Sequence, residues 1–165
     1  MGKTTQVLAR KYRAWGYFRS GCEAQRDGDH IRAFLMYEKS LEWFPTAQTY
    51  TFLAWTASVR GDLDSSVRFC KKAIKLDSGC GAPYNDIGAY MIEMGELEGA
   101  IPWLIKAINS KRYDTYWFPW LNLGRIQERR GDWIGALEFV KTSLRCNPNY
   151  VPALKALSRI RGRLN

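Results

Sequence analysis

Few residues in this sequence are placed to do chemistry. The one histidine, His30, directly follows Asp29. A general base needs a group to orient it and a nucleophile within reach. No second histidine and no G-x-S-x-G stretch supplies either. His30 therefore reads as a solvated or helix-capping residue. Gly2-Lys3-Thr4 has the residues of the tail of a phosphate loop, but the upstream glycine and the preceding strand are missing. Gln6 stands where N-myristoylation wants Ser or Thr. Asp62 and Asp64, two apart, do not face each other on a helix and read as first-turn acids. The four cysteines, Cys22, Cys70, Cys80 and Cys146, form no C-x-x-C pair. With one histidine to help them, no zinc site is expected, and no metal or cofactor. Cys22 lies between Arg19 and Arg26 in sequence. A cation-activated thiolate and a packed thiol are both open there. The other thiols read as reduced and packed, as in a cytoplasm. The chain reads as non-catalytic.

Charge points to the ends. The net charge is +9. Lys3, Arg10, Lys11 and Arg13 precede residue 14, and Lys155, Arg159, Arg161 and Arg163 follow residue 150. These ends hold eight of the 25 cations and none of the 16 acids, leaving the body near neutral. No basic stripe runs along the body, which argues against nucleic acid as the partner. No run approaches the ~18 apolar residues that cross a bilayer, so no transmembrane segment is expected. The first fifteen residues lack the sustained apolar core of a secretory signal. The expected location is cytoplasmic.

Residues without chemistry of their own must serve by position, and position here is periodic. Four segments align on a glycine followed by an acid: Gly28-Asp29, Gly61-Asp62, Gly95-Glu96 and Gly131-Asp132. Successive glycines are 33, 34 and 36 residues apart. Seven residues before each comes Gly21, Ala54, Gly88 or Gly124, and eleven before comes Tyr17, Tyr50, Tyr84 or Trp120. Five after comes Ala33, Ser66, Ala100 or Ala136, and twelve after comes Ser40, Ala73, Ala107 or Ser143. Small side chains let two helices cross closely, and an aromatic fills the space beside them. Glycine takes the positive φ that ends one helix, and the acid suits the start of the next. Pro45 and Pro148 stop the second helices of the first and last units, where Ser78 and Arg112 stand in the middle two. Pro83 suits the first turn of a helix. Helix pairs are predicted at 14–27 with 29–44, 47–60 with 62–76, 81–94 with 96–109 and 117–130 with 132–146. A last helix over 150–163 would bury Leu154, Leu157, Ile160 and Leu164, and Thr4 or Thr5 would cap an N-terminal extension carrying Val7, Leu8 and Tyr12.

In this pattern residues 14–150 resemble the tetratricopeptide repeat (TPR) family, since four units agree in phase at a period near 34 residues. The segment from Gly81 to Arg125 is also similar to bacterial TPR proteins of unassigned role. The resemblance implies an all-α fold, a right-handed superhelical solenoid of four helix pairs closed by a C-terminal capping helix. The expected divisions are a basic extension over 1–13, repeats over 14–46, 47–80, 81–116 and 117–150, and a basic cap over 151–165.

The resemblance further implies that first helices line a concave groove that binds a protein or peptide. Groove places then fall to Trp15, Phe18, Phe52 and Trp55 in the first half and to Asn85, Asp86, Asn122, Arg125 and Glu128 in the second. Aromatics contribute buried area and asparagine bonds a peptide backbone. The place of Asn122 resembles that of the backbone-binding asparagine of other TPR grooves. Family members that bind chaperones hold a C-terminal carboxylate with Lys and Asn. Here the matching places hold Phe18, Cys22, Phe52, Ala82 and Asp86, or Thr51, Trp55, Asp86, Phe118 and Asn122, without a cation. Two other readings stay open: nucleic acid or an anionic surface met by the basic ends, and self-association through exposed Trp43, Trp103, Trp117 or Trp133.

Overall fold

A computed structural model describes residues 3–165. Gly2, with the phosphate-loop and myristoylation readings, lies outside the described residues. Nine helices carry the described residues: α1 (Lys3–Arg26), α2 (His30–Trp43), α3 (Ala47–Val59), α4 (Leu63–Leu76), α5 (Ala82–Glu93), α6 (Leu97–Ile108), α7 (Trp117–Arg130), α8 (Trp133–Cys146) and α9 (Val151–Leu164). Helix contacts group them into two compact units, one ending at Ser78 and one running from Gly79 to Asn165.

The four glycine-acid turns are built alike. Gly28, Gly61, Gly95 and Gly131 have φ between +78° and +85°. The residue after each closes a wide turn onto the preceding helix, as Asp29 N does on Ala24 O at 2.9 Å and Asp132 N on Gln127 O at 2.9 Å. Three acids then cap the following helix: Asp29, Asp62 and Asp132 accept from Arg32 N, Ser65 N and Gly135 N. Glu96 makes no such bond; its extra methylene carries the carboxylate past the capping position.

Small residues mark the crossings. A Cβ at Gly88 would meet Leu104 Cδ2 at 2.5 Å, and one at Gly21 would meet the Tyr37 ring at 2.5 Å. Ser40 and Ser143 add a bond at the other end of the crossing. Each hydroxyl donates to a first-helix carbonyl 26 residues upstream, Ala14 O and Trp117 O, at 2.8 Å. Three of the four aromatics eleven before the turn glycine stack on a ring of the paired helix: Tyr50 on Phe69, Tyr84 on Trp103 and Trp120 on Phe139, with centroids 6.0 to 6.4 Å apart, while Tyr17 meets Lys39.

In the first unit, α1 packs on α2, α2 on α3 and α3 on α4. Its core joins Ala24, Ala33, Tyr37 and Leu53. In the second, α5 packs on α6 and α7, α6 on α7, α7 on α8 and α8 on α9. Ile92, Leu104 and Ile126 fill one core, and Val140 and Ile160 fill the other. Burying one such side chain stabilises the fold by roughly 1.5–3 kcal/mol.

Three expectations change. Thr4 and Thr5 lie inside α1, which runs unbroken from Lys3 through the predicted extension, so neither caps it. The buried stripe of α9 is Ala153, Ala156 and Ile160 with Leu157 beside it, while Leu154 and Leu164 stay exposed. The alanines let α9 approach α8 closely, and that rotation turns Leu154 outward. The missing prolines at Ser78 and Arg112 have a tertiary substitute: Gly81 N donates to Arg112 O at 3.1 Å and Arg112 N to Gly79 O at 3.2 Å, a short parallel bridge between the loops that flank the third pair.

Candidate functional site

Each unit presents its own first-helix face. In the first unit, α1 and α3 bring Phe18 and Phe52 edge to face at 5.1 Å. Both half-buried rings also touch the buried Tyr37 ring, at 5.7 and 5.8 Å. Trp15 and Trp55 stand further out, 52% and 40% exposed. The Arg19 guanidinium lies 4.9 Å over the Trp15 ring, and His30 meets Trp55 edge-on at 5.5 Å. His30 thus starts α2 packed on an indole, half-buried rather than solvated, with Nδ1 enclosed and unpartnered. Tyr37 donates its hydroxyl to Gln25 Oε1 at 2.8 Å, and its oxygen is 3.6 Å from Cys22 Sγ. Burial, then the Cys22 thiol, push the Tyr37 phenol far above its ordinary range. Cys22 is a half-buried thiol packed in this core.

In the second unit, α5 and α7 place Asn85, Asp86, Asn122 and Arg125 together. Asn122 is one place beyond Asn85 in register, so the side chains of successive first helices meet across the contact. Asn122 Nδ2 donates to Asn85 Oδ1 at 3.0 Å, and Asn85 Nδ2 donates to Asp86 Oδ1 at 3.3 Å. Arg125 Nη1 donates to Asn122 Oδ1 at 3.2 Å, and its Nη2 pairs with Glu93 at 2.7 Å. The two asparagines are only 7% and 6% exposed. They are not the freely projecting amides that the repeat register suggests. They form a relay in which each NH2 has given one hydrogen and keeps one. Burial pushes the Asp86 carboxyl up to about 7, with the Asn85 bond working against it.

Two residues of this site escaped the sequence reading. Tyr113, in the α6–α7 loop, is buried and packs where a Cβ on Gly81 would sit. Burial raises its phenol, the Thr115 bond opposes that, and the Asp86 charge adds to the rise. Tyr150, just before α9, is also raised by burial, with Arg125 acting the other way. The Tyr150 ring meets Phe118 edge-on at 5.2 Å, and Tyr113 meets Tyr116 at 5.7 Å. Inter-helix loops carry no helical register, so only their aromatic content could have flagged them.

The basic ends are largely engaged within the fold. Arg10 donates to Trp43 O at 3.0 Å, Lys11 and Arg13 lie over Phe44 and Trp43, and Arg163 lies over Trp133. Arg159 holds Glu128 through two bonds of 2.8 and 2.9 Å. Trp43, Trp103, Trp117 and Trp133 are half-buried against neighbours rather than exposed. Among the described residues no group of three or more His, Cys, Asp or Glu could hold a metal ion. None of their helices is long and apolar enough to cross a membrane.

Residues 47–80 match the family model for the tetratricopeptide repeat. The mitochondrial import receptor subunit TOM70 of Rattus norvegicus is 34% identical over 80 residues, covering 45% of this chain and 12% of that protein's length. Among solved structures, pilF of Pseudomonas aeruginosa superposes with a TM-score of 0.83 at 22% identity, over 94% of this chain and 70% of that one. YrrB, described as a TPR protein with an unusual peptide-binding site, superposes with a TM-score of 0.70 at 17% identity, over 87% of this chain and 73% of that one. The fold is therefore an all-α helical-repeat solenoid, with a tetratricopeptide repeat at residues 47–80 and the same turn chemistry in all four pairs.

Proposed function

We propose that this chain is a non-catalytic interaction module that binds an extended or helical peptide on its first-helix faces. The observation that carries this reading is the Asn122–Asn85 relay at 3.0 Å. Burying two amides stabilises a fold little, because each new bond replaces one to water. Small apolar residues would fill those places more simply. Amides that are fixed, desolvated and still hold a spare hydrogen suit the backbone carbonyls of a peptide. Trp15 and Trp55 offer the other face exposed ring area. The peptide-binding description of YrrB supports the same use of the fold.

The test is retention of an immobilised heptapeptide library by wild type, Asn122→Ala and Trp55→Ala. Wild type retains a subset, and at least one variant loses most of it with an unchanged helical circular dichroism signal. Equal retention by all three refutes the reading. Binding of anionic surfaces through the basic ends is disfavoured by the internal partners of Arg10, Arg13, Arg159 and Arg163. Self-association is favoured by one feature, the exposed stripe Leu8, Tyr12 and Trp15 on α1. Light scattering at two concentrations decides it, a strict monomer ruling it out.

A further inference from the structure

Three carboxylates lie on α5 and α7: Asp86, Glu93 and Glu128. Two have a cation. Arg125 holds Glu93 at 2.7 Å, and Arg159 holds Glu128 at 2.8 Å. Asp86 is paired with no lysine or arginine among the described residues. Its carboxylate accepts a long hydrogen bond, 3.3 Å, from the neutral amide of Asn85. An ionised carboxylate has about four acceptor sites, so one weak donor leaves it far from satisfied. Burial works against its charge, although the residue keeps part of its surface open.

Its surroundings suit a cation. Tyr113 feels the charge of Asp86, and Tyr150 and Cys80 act on the same phenol. Phenols raised by burial stay neutral, and their ring faces attract cations. Tyr113 comes from the α6–α7 loop, Tyr150 from the stretch before α9, and Cys80 from the stretch before α5. Arg125, one turn along α7 from Asn122, is held in place by Glu93 and Asn122. It is engaged on both sides, so it neither neutralises Asp86 nor stands ready as a clamp for a carboxylate ligand.

We infer that Asp86 is the receptor for a positively charged group of the bound peptide, either a lysine or arginine side chain or a free α-amino terminus. This rests on the peptide-binding reading above and adds the chemistry of the ligand. Asn85 and Asn122 hold the peptide backbone beside it, and Tyr113 and Tyr150 flank the cation. A charge-assisted bond in a desolvated site replaces the weak one from Asn85.

The probe is a C-amidated heptapeptide library on cellulose, made once with acetylated and once with free N-termini. Full-length wild type, Asp86→Asn and Asp86→Glu are compared on it, and thermal melts confirm that the variants fold. Wild type selects Lys or Arg at one position if the side chain is the ligand, or selects the free-terminus arm alone if the α-amine is. Asp86→Asn binds those peptides about tenfold or more weakly, and leaves their norleucine or acetylated counterparts unchanged. Asp86→Glu keeps the preference for a cation. Retained peptides without any preference for a cation, or an unchanged preference in Asp86→Asn, overturn the inference and leave the peptide-binding reading standing. A wild type that retains no peptide overturns the reading beneath it as well.

Discussion

Replacing Asp86 with asparagine makes the folded chain more stable at alkaline pH and leaves it unchanged in acid. Burial moves this carboxyl from 3.8 to about 7. The folded state therefore holds its proton more tightly than the unfolded state. Stability from this group is complete below the unfolded value and is lost as pH rises toward the folded one. At ~1.36 kcal/mol for each tenfold change in proton affinity, the rise from 3.8 to about 7 sets a ceiling of ~4 kcal/mol. Asp86 is half-buried, so relaxation and water screening reduce this to ~1–3 kcal/mol. Asparagine has the same shape, cannot ionise and keeps a carbonyl for Asn85. Urea unfolding followed by circular dichroism at pH 4 and pH 8 measures the effect. Asp86→Asn raises the midpoint at pH 8 relative to wild type and matches it at pH 4. An equal difference at both values refutes the claim that a desolvated charge sits at this position. Titrating a selected basic peptide into wild type at pH 7 should also release protons, because a bound cation favours the ionised carboxylate.

Three further outcomes are expected. Gly61→Ala costs about 1–2 kcal/mol, read by urea unfolding, because its φ of +83° strains any side chain although nothing lies within 4 Å of the new Cβ. Gly88→Ala costs about 1–3 kcal/mol by the same assay through overpacking on Leu104, and its cost combined with that of Leu104→Ala is less than the sum of the two. Asp62→Ala costs about 1 kcal/mol at neutral pH by removing the cap on Ser65 N. Hydrogen bonds from Ser65 hold the Asp62 carboxyl below its ordinary value, so this contribution fades as pH falls through that depressed value, and the variant and wild type converge in acid.

The repeat was legible because its determinants are local. A glycine at positive φ and an acid at a helix start act within six residues, and four copies in phase multiply a weak signal. Helix starts and stops follow within a few residues. The meeting of Asn85, Asn122 and Arg125 was half legible: register put them on one face, but not in one another's reach. Whether an amide projects or pairs depends on the distance between α5 and α7, which no spacing in the chain states. Tyr113 and Tyr150 were lost because they sit in loops, outside the register. Leu154 was misplaced because a stripe of leucines and a stripe of alanines both fit a helix period. Close packing chose the alanines.

The bridge between Gly79–Gly81 and Arg112 bears on how the second unit opens. Helix pairs that touch only sequence neighbours fray one at a time from an end. Two backbone bonds of 3.1 and 3.2 Å tie the stretch before α5 to the loop after α6, so the third pair is closed on itself like a clasped loop. Its helices cannot peel apart while the clasp holds. The amides of Gly81 and Arg112 should then exchange with solvent more slowly than other loop amides of the second unit, because the clasp must release first.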